Sequence, residues 1–481
     1  MSDPRGTVGV RRPLALALLC AAFFLGVLDS TSLFAALPRI GDDLGLDPAA
    51  LVWVVTVSGV VVAGFMLPFG RMADVFGRRR TFIAAVAVFG LASLVCGLAT
   101  TGGVLIAARA VMGLGAAALT PAALALLLVM YPEGPERNRA LGIWGGLGGL
   151  GATVGLLLGG LVTATAGWPW VFLVNVPVCA AVVVLAPRLL AESRRGERRP
   201  FDLPGGLLVS ATLVLLTAGL LELSRAGWAA QTWALLVGAS AFAAVLGVVE
   251  RRSDDPILPA RLLRARGVVI GNVVVLTGGI AVDGLLALTT VYLQRTLGLS
   301  AMVFGLALAA MTVSSIVAVA VGQSLVSRAG PRPVAVVGLA MLGVSCASFT
   351  LLPADGSALP LLVGGLLVFG TGMGGAFVAG QIAAVTGVHD DDAGAASGLE
   401  ETSFTIGGTL GIAIVTSVAV AFSTGAAAAI GRGSGDASTG QLAGLHAAFA
   451  VLAAIAFIGA AAALAYPGRA ALGARQSGTV D

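Results

Sequence analysis

Fourteen apolar stretches of about twenty residues or more, separated by short polar segments, fill this 481-residue chain almost from end to end. A water-soluble core cannot bury so much apolar sequence, whereas a bilayer about 30 Å thick accepts one helix per ~20 apolar residues. The stretches run 13 to 37, 51 to 69, 81 to 101, 103 to 131, 139 to 162, 168 to 190, 203 to 223, 231 to 250, 267 to 293, 302 to 326, 334 to 352, 358 to 381, 394 to 422 and 443 to 466. Each is predicted to be helical, because barrel strands would be about ten residues of alternating character. With 58% hydrophobic and 11% charged residues, the chain fits neither an average soluble domain nor a disordered segment. The first stretch is longer than the apolar core of a secretion signal and lacks a small-residue cleavage site, so it is expected to be a span.

Arginine placement sets the topology. The chain has no lysine, and its 28 basic residues are all Arg. Fourteen spans put both termini on one side; Arg39, Arg225, Arg295 and Arg432 then fall on the other, Arg109 falls inside the fourth span, and the remaining 23 share the side of the termini. Positive charge is retained on the cytoplasmic side of membrane segments, so that side is expected to be the cytoplasm. The net charge of +4 follows from this asymmetry and does not call for nucleic acid. Arg194, Arg195, Arg198 and Arg199 lie before spans seven and eight, and Arg251, Arg252, Arg261, Arg264 and Arg266 after them, which marks those two spans as an inserted hairpin. Cys20, Cys96, Cys179 and Cys346 lie in apolar spans without CxxC spacing and read as core residues. His389 and His446 are not paired in sequence, so no metal site is expected.

The segment GRMADVFGRRR, residues 70 to 80, joins spans two and three. A degenerate copy, QSLVSRAGPRP, begins 253 residues later at Gln323 and carries Ser327 where the first has Asp74. Nearly the same offset lays Asp29 of span one over Asp283 of span nine, and glycine-rich span five over glycine-rich span thirteen. Such a correspondence predicts two related six-helix halves, with a substrate site where they meet.

Charged groups inside apolar spans are the candidate functional residues, since each costs roughly 2.5 to 3.5 kcal/mol on insertion scales. Asp29 lies some 24 Å along span one by helical rise, where it would serve either as a proton or cation site or as a buried polar contact between helices. Asp283 is its counterpart in the second half. Arg109 keeps its charge and so must face a polar cavity or a carboxylate, either in transport or in a structural ion pair. Glu400 and Glu401 begin about 10 Å into span thirteen and point about 100° apart. With Glu222, these acids outnumber Arg109, and an electronegative cavity favours cationic or neutral amphipathic compounds. The run Asp390 to Asp392 reads as a solvated loop. Gly151, Gly155, Gly159 and Gly160 give span five a small-residue face of the kind that packs helices closely.

Four strings together carry a family resemblance: LDSTSLFAALPRI in span one, GRMADVFGRRR after span two, RAVMGLGAAALTP from Arg109 in span four, and WPWVFLVNVP from Trp168. In this order the chain resembles the major facilitator superfamily, and within it the fourteen-helix drug:proton antiporters of the QacA type. The resemblance implies an all-α membrane protein with a cytoplasmic N-terminus (1–12), a six-helix half (13–190), a linker holding two extra spans (191–266), a second six-helix half (267–466) and a cytoplasmic tail (467–481). It implies a multi-pass protein of the cytoplasmic membrane that exports small amphipathic compounds against protons. Such a protein needs no cofactor beyond the proton gradient. Its expected partners are substrate, protons and lipid rather than nucleic acid; a monomer is plausible, and the sequence does not set the oligomeric state.

The resemblance also assigns roles. Gly70 and Gly77 shape the gating loop, and Asp74 pairs there with cationic groups, with Arg78, Arg79, Arg137 and Arg139 as candidates. Arg109 takes part in proton coupling, and the paired Glu400 and Glu401 resemble those of quaternary-ammonium and dye exporters. The span-five glycines resemble the antiporter motif, although Leu156 stands where that motif has proline. A dedicated exporter of one secondary metabolite is the neighbouring alternative. An enzyme or receptor would need an extramembrane domain or catalytic cluster that the sequence lacks, and no GxxxxGK[ST] string is present for direct use of ATP.

Overall fold

A computed structural model describes residues 4–46, 48–192, 202–253, 256–299, 301–353, 357–429 and 437–467. Helices joined by short turns and irregular segments make up that range, with no strand among the described residues. In order the helices are α1 (Pro4–Leu44), α2 (Pro48–Phe76), α3 (Arg78–Gly97), α4 (Gly102–Met130), α5 (Pro135–Thr165), α6 (Pro169–Leu173), α7 (Asn175–Leu189), α8 (Leu203–Ala226), α9 (Ala230–Glu250), α10 (Ala260–Arg264), α11 (Arg266–Thr290), α12 (Ala301–Ala329), α13 (Pro331–Phe349), α14 (Leu359–Val385), α15 (Ala393–Ala429) and α16 (Ala437–Ala463). The expected sixth span is α6 and α7 in succession, and α10 is a short connector.

Among the described residues, thirteen helical stretches are long and apolar enough to cross a bilayer. The expected fifth span corresponds to α5, which has 31 residues but is not one of the thirteen, so the count of fourteen rests there on length. The arginines at 194, 195, 198, 199 and 432, and all but the first residue of the expected tail 467–481, lie outside the described residues. Hydrophobicity alone does not separate central from peripheral helices, but burial does. Of the α4 span 83% is buried, against 11% of the α9 span, so α4 is a core element and α9 an outlying one.

The chain forms two compact units. The first contains Met1–Thr217, Val237–Ala260 and Val388–Thr402, and the second Ala218–Leu236, Arg261–Gly387 and Ser403–Asp481. In the first, α2 and α3 pack along α4, α3 packs on α6 and α7, and α1 touches α4 and α7 while lying along α5. In the second, α12 and α13 pack along α14, α13 packs on α16, and α11 touches α14 and α16. Apart from the α1–α5 contact, the pairings of the first unit recur in the second, as the internal repeat predicts. The loops that carry the repeat share a backbone feature as well: Gly77 and Gly330 both have positive φ, 109° and 87°, and each immediately precedes a helix. Glycine makes that turn without a Cβ penalty.

Candidate transport site and latch

The first unit buries an ion pair in its interior. Arg109 on α4 reaches Asp29 on α1, with Nη1 2.5 Å from Oδ2, and both side chains are almost fully buried. Arg109 also donates from Nε to the Val54 carbonyl of α2 at 3.1 Å, and its guanidinium lies 6.0 Å from the centre of the Phe172 ring. Four elements therefore hold one cation. The other carboxylate oxygen of Asp29, Oδ1, is buried and has no hydrogen-bond partner among the described residues. A buried acceptor in that condition is costly unless it gains a proton, a water or a ligand.

Span-five glycines seat the helix that bears Asp29. A Cβ on Gly151 would press on Val27, one on Gly155 would meet the Leu28 carbonyl oxygen and the Thr31 hydroxyl, and one on Gly159 would collide with the Ser32 backbone. The contact tracks α1 on both sides of Asp29. Gly160 does not share it: nothing lies within 4 Å of where its Cβ would be, which removes it from the set expected from sequence. It points away because it is only one residue from Gly159, about 100° around the helix.

The second unit repeats the arrangement without the arginine. Gly407 and Gly411 of α15 lie against the carbonyls of Leu276 and Ile280 on α11, and Gly408 faces the Asp283 carboxylate. Asp283 has no hydrogen bond or ion pair among the described residues. The same unit holds a small apolar pocket lined by Val274, Gly278, Val282, Met373, Phe377 and Phe404, with the rings of Phe377 and Phe404 packed edge to face at 5.5 Å.

Glu400 and Glu401 are 1% and 9% exposed, on the part of α15 that packs with the first unit. Glu401 lies against the Trp144 indole of α5, and Trp144, fully buried, stacks on Phe23 of α1 with centroids 4.1 Å apart and planes at 14°. An acid beside stacked aromatic rings is suited to an organic cation, which both groups attract.

The loop of residues 70 to 80 is tied to the start of α15. Asp74, buried at the end of α2, accepts the backbone N–H groups of Gly394 and Ala395 at 2.9 and 3.0 Å, one on each carboxylate oxygen. It therefore caps the N-terminus of α15, where free N–H groups and the helix dipole favour a negative charge. Arg78 binds the same carboxylate through Nε and Nη2 at 3.0 and 2.7 Å. The other expected partners lie elsewhere: Arg79 pairs with Glu192 at 3.7 Å, and Arg137 with Glu133 at 3.6 Å. Gly70 has backbone of Gly394 and Gly398 against its Cα, so only glycine allows this approach.

One sequence reading is corrected. Asp392, taken with its neighbours as a solvated loop, is 1% exposed and pairs with buried Arg71 at 3.4 Å. Three consecutive acids look solvated in isolation, and the burying partner is 321 residues away. Arg71, Asp392, Glu192 and Trp144 are thus site residues that sequence reasoning missed. Only Arg71, inside the 70 to 80 string, carried a local signal.

Known proteins resemble this chain in sequence and in fold. The model of the Major Facilitator Superfamily matches residues 19–412 and again 280–481. The chain is 38% identical over 433 residues to the cephamycin export protein CmcT of Amycolatopsis lactamdurans, covering 89% of each protein. It is 37% identical over 430 residues to the puromycin resistance protein pur8 of Streptomyces alboniger, covering 87% of this chain and 83% of that one. It is 34% identical over 411 residues to the multidrug resistance protein Stp of Mycobacterium tuberculosis, covering 85% and 76%. Among solved structures, the human organic anion transporter MFSD10 (TETRAN) superposes with a TM-score of 0.64 over 96% of this chain at 15% identity, a likeness of fold.

Proposed function

Because this chain belongs to the major facilitator superfamily and is a multi-pass membrane transporter, we propose that it exports small amphipathic drugs or antibiotics, cationic or neutral, in exchange for protons. It does so across the cytoplasmic membrane with both termini in the cytoplasm. The observation that carries the proposal is the buried Asp29–Arg109 pair, whose Oδ1 has no hydrogen-bond partner among the described residues. Coupling needs a carboxyl group that changes its bonding when it gains a proton, and Asp29 has one oxygen bound to a fixed cation and the other available. Protonation of Asp29 cancels its attraction for Arg109 and for any cation beside it, and loss of the proton restores both. Breaking such a buried pair from one side costs about 3 to 5 kcal/mol, enough to change which conformation is populated.

Glu400, Glu401 and the Phe23–Trp144 stack supply the attraction for a cation, and Asp283 supplies a second carboxyl. The Asp74 cap on α15 acts as a latch that holds one arrangement until it is released. Export of drugs and antibiotics is further supported by the relatives, which are named for cephamycin export, puromycin resistance and multidrug resistance. The first two names also favour a narrower reading, in which the chain exports a single secondary metabolite.

The test is efflux of ethidium from energised cells, with and without a proton gradient. Gradient-dependent efflux that is lost in Asp29→Asn supports the proposal, and undiminished efflux in that variant removes Asp29 from it. Resistance profiles of a host expressing the protein separate one substrate from many.

A further inference from the structure

The inserted helices α8 and α9 have no part in the transport scheme, yet their base is built against the elements that form the latch. Gly64 of α2 lies against Val214 and the Ser210 carbonyl of α8, a close approach that a side chain would block. One turn further along α2, Leu67 shares a buried cluster with Val209 of α8 and Ile257 of the segment after α9, and Leu399 of α15 packs onto it. Ile257 is 0% exposed although it lies in irregular chain. Glu250, the last residue of α9, holds it there: Oε1 accepts the Ile257 N–H at 3.1 Å and Oε2 the Leu258 N–H at 3.4 Å.

The two inserted helices are joined at the same place. Asp202 caps α8 through the Gly205 N–H at 2.9 Å, and a Cβ at Gly205 would meet both the Asp202 and the Glu250 carboxylates. Arg71, one turn past Leu67, lies near enough to Glu250 for their charges to interact and bonds Asp392 on its other side. The cluster thus touches α2 at Leu67, seven residues before Asp74, and α15 at Leu399, four residues after Ala395.

We propose that the inserted hairpin braces the latch, with Glu250 as a positioning residue that folds residues 256–258 back onto α2 and Ile257 as the wedge that favours the Asp74-capped arrangement. The proposal rests on the reading of Asp74 as a latch. A segment fixed by two hydrogen bonds to one carboxylate keeps Ile257 in contact with Leu67 and, through its cluster, Leu399. Loss of those bonds or of the wedge therefore shifts the latch equilibrium without touching Asp74 itself.

Spin labels at Phe76→Cys and His389→Cys, both exposed and one on each side of the latch, report the equilibrium by pulsed electron resonance in the full-length protein in lipid nanodiscs. The four native cysteines are buried and do not compete for label. Asp74→Asn, which weakens the cap itself, shows the direction in which the distance shifts when the latch loosens. Glu250→Ala and Ile257→Ala are each expected to lower the ratio of latched to unlatched molecules by about tenfold, with Glu250→Gln, which keeps one acceptor, falling between them and the native chain. If Asp74→Asn lengthens the distance and Glu250→Ala and Ile257→Ala both leave it unchanged, the brace is refuted and the latch stands. An unchanged distance in Asp74→Asn refutes the latch and the brace with it. Should Glu250→Ala fail to fold, Ile257→Ala decides alone.

Discussion

At the scale of single residues, one carboxylate and one guanidinium bear most of the account. Asp29→Asn keeps the shape and removes the charge, so gradient-driven efflux is expected to fall by at least tenfold while protein yield is kept, as read by dye release from loaded cells. Arg109→Lys keeps the charge, but lysine cannot donate to the Val54 carbonyl and Asp29 in one planar arrangement. Transport in that variant is expected to continue only downhill, uncoupled from the pH gradient; full pH-driven export would assign Arg109 a structural role alone. Both residues were legible in the sequence, because a charge within an apolar span is conspicuous and needs a partner. Their pairing was not, since 80 residues separate them and Asp29 could equally have met a water-filled cavity. Asp392 was misread for a related reason: its burial depends on Arg71, far away in the chain, and on how α15 begins.

At the scale of elements, the contact between α1 and α5 decides how Asp29 is placed. Gly155→Val would force a branched side chain into the Leu28 carbonyl, and Gly159→Ala would meet the Ser32 backbone. Each is expected to destabilise the protein by about 1 to 3 kcal/mol, the usual cost of overpacking, seen as a lower melting temperature in detergent. Gly160→Ala has open space and is expected to change nothing measurable. Sequence spacing could not make that distinction, because it identifies a glycine-rich stretch without saying which residues face a neighbour. The cap on α15 was half legible. The acid between two glycines at residues 70 to 80 pointed to a partner, but the partner is backbone N–H as well as arginine, and backbone leaves no mark in the sequence. Asp74→Asn retains one acceptor oxygen and loses the charge, so the latch is expected to weaken by roughly 1 to 2 kcal/mol.

At the scale of the whole molecule, the repeat is the best-read feature. An offset of 253 residues in a short degenerate string anticipated two units with the same helix pairings and the same positive-φ glycine at corresponding turns. The two units differ at the corresponding acids: the first pairs Asp29 with Arg109, whereas in the second Asp283 faces Gly408. The packing of residues 388–402 with the first unit was not foreseen, because equal-length halves suggest a division at the inserted hairpin. The central claim, exchange of substrate for protons, is tested most directly with purified protein in liposomes loaded with ethidium, a defined pH difference across the membrane and no nucleotide. The account predicts that dye leaves several-fold faster when protons can move in the opposite direction, that each transport event is accompanied by alkalinisation of the external side, and that Asp29→Asn abolishes both. Dye release that is equally fast with the pH difference collapsed, and that moves no protons, would contradict it.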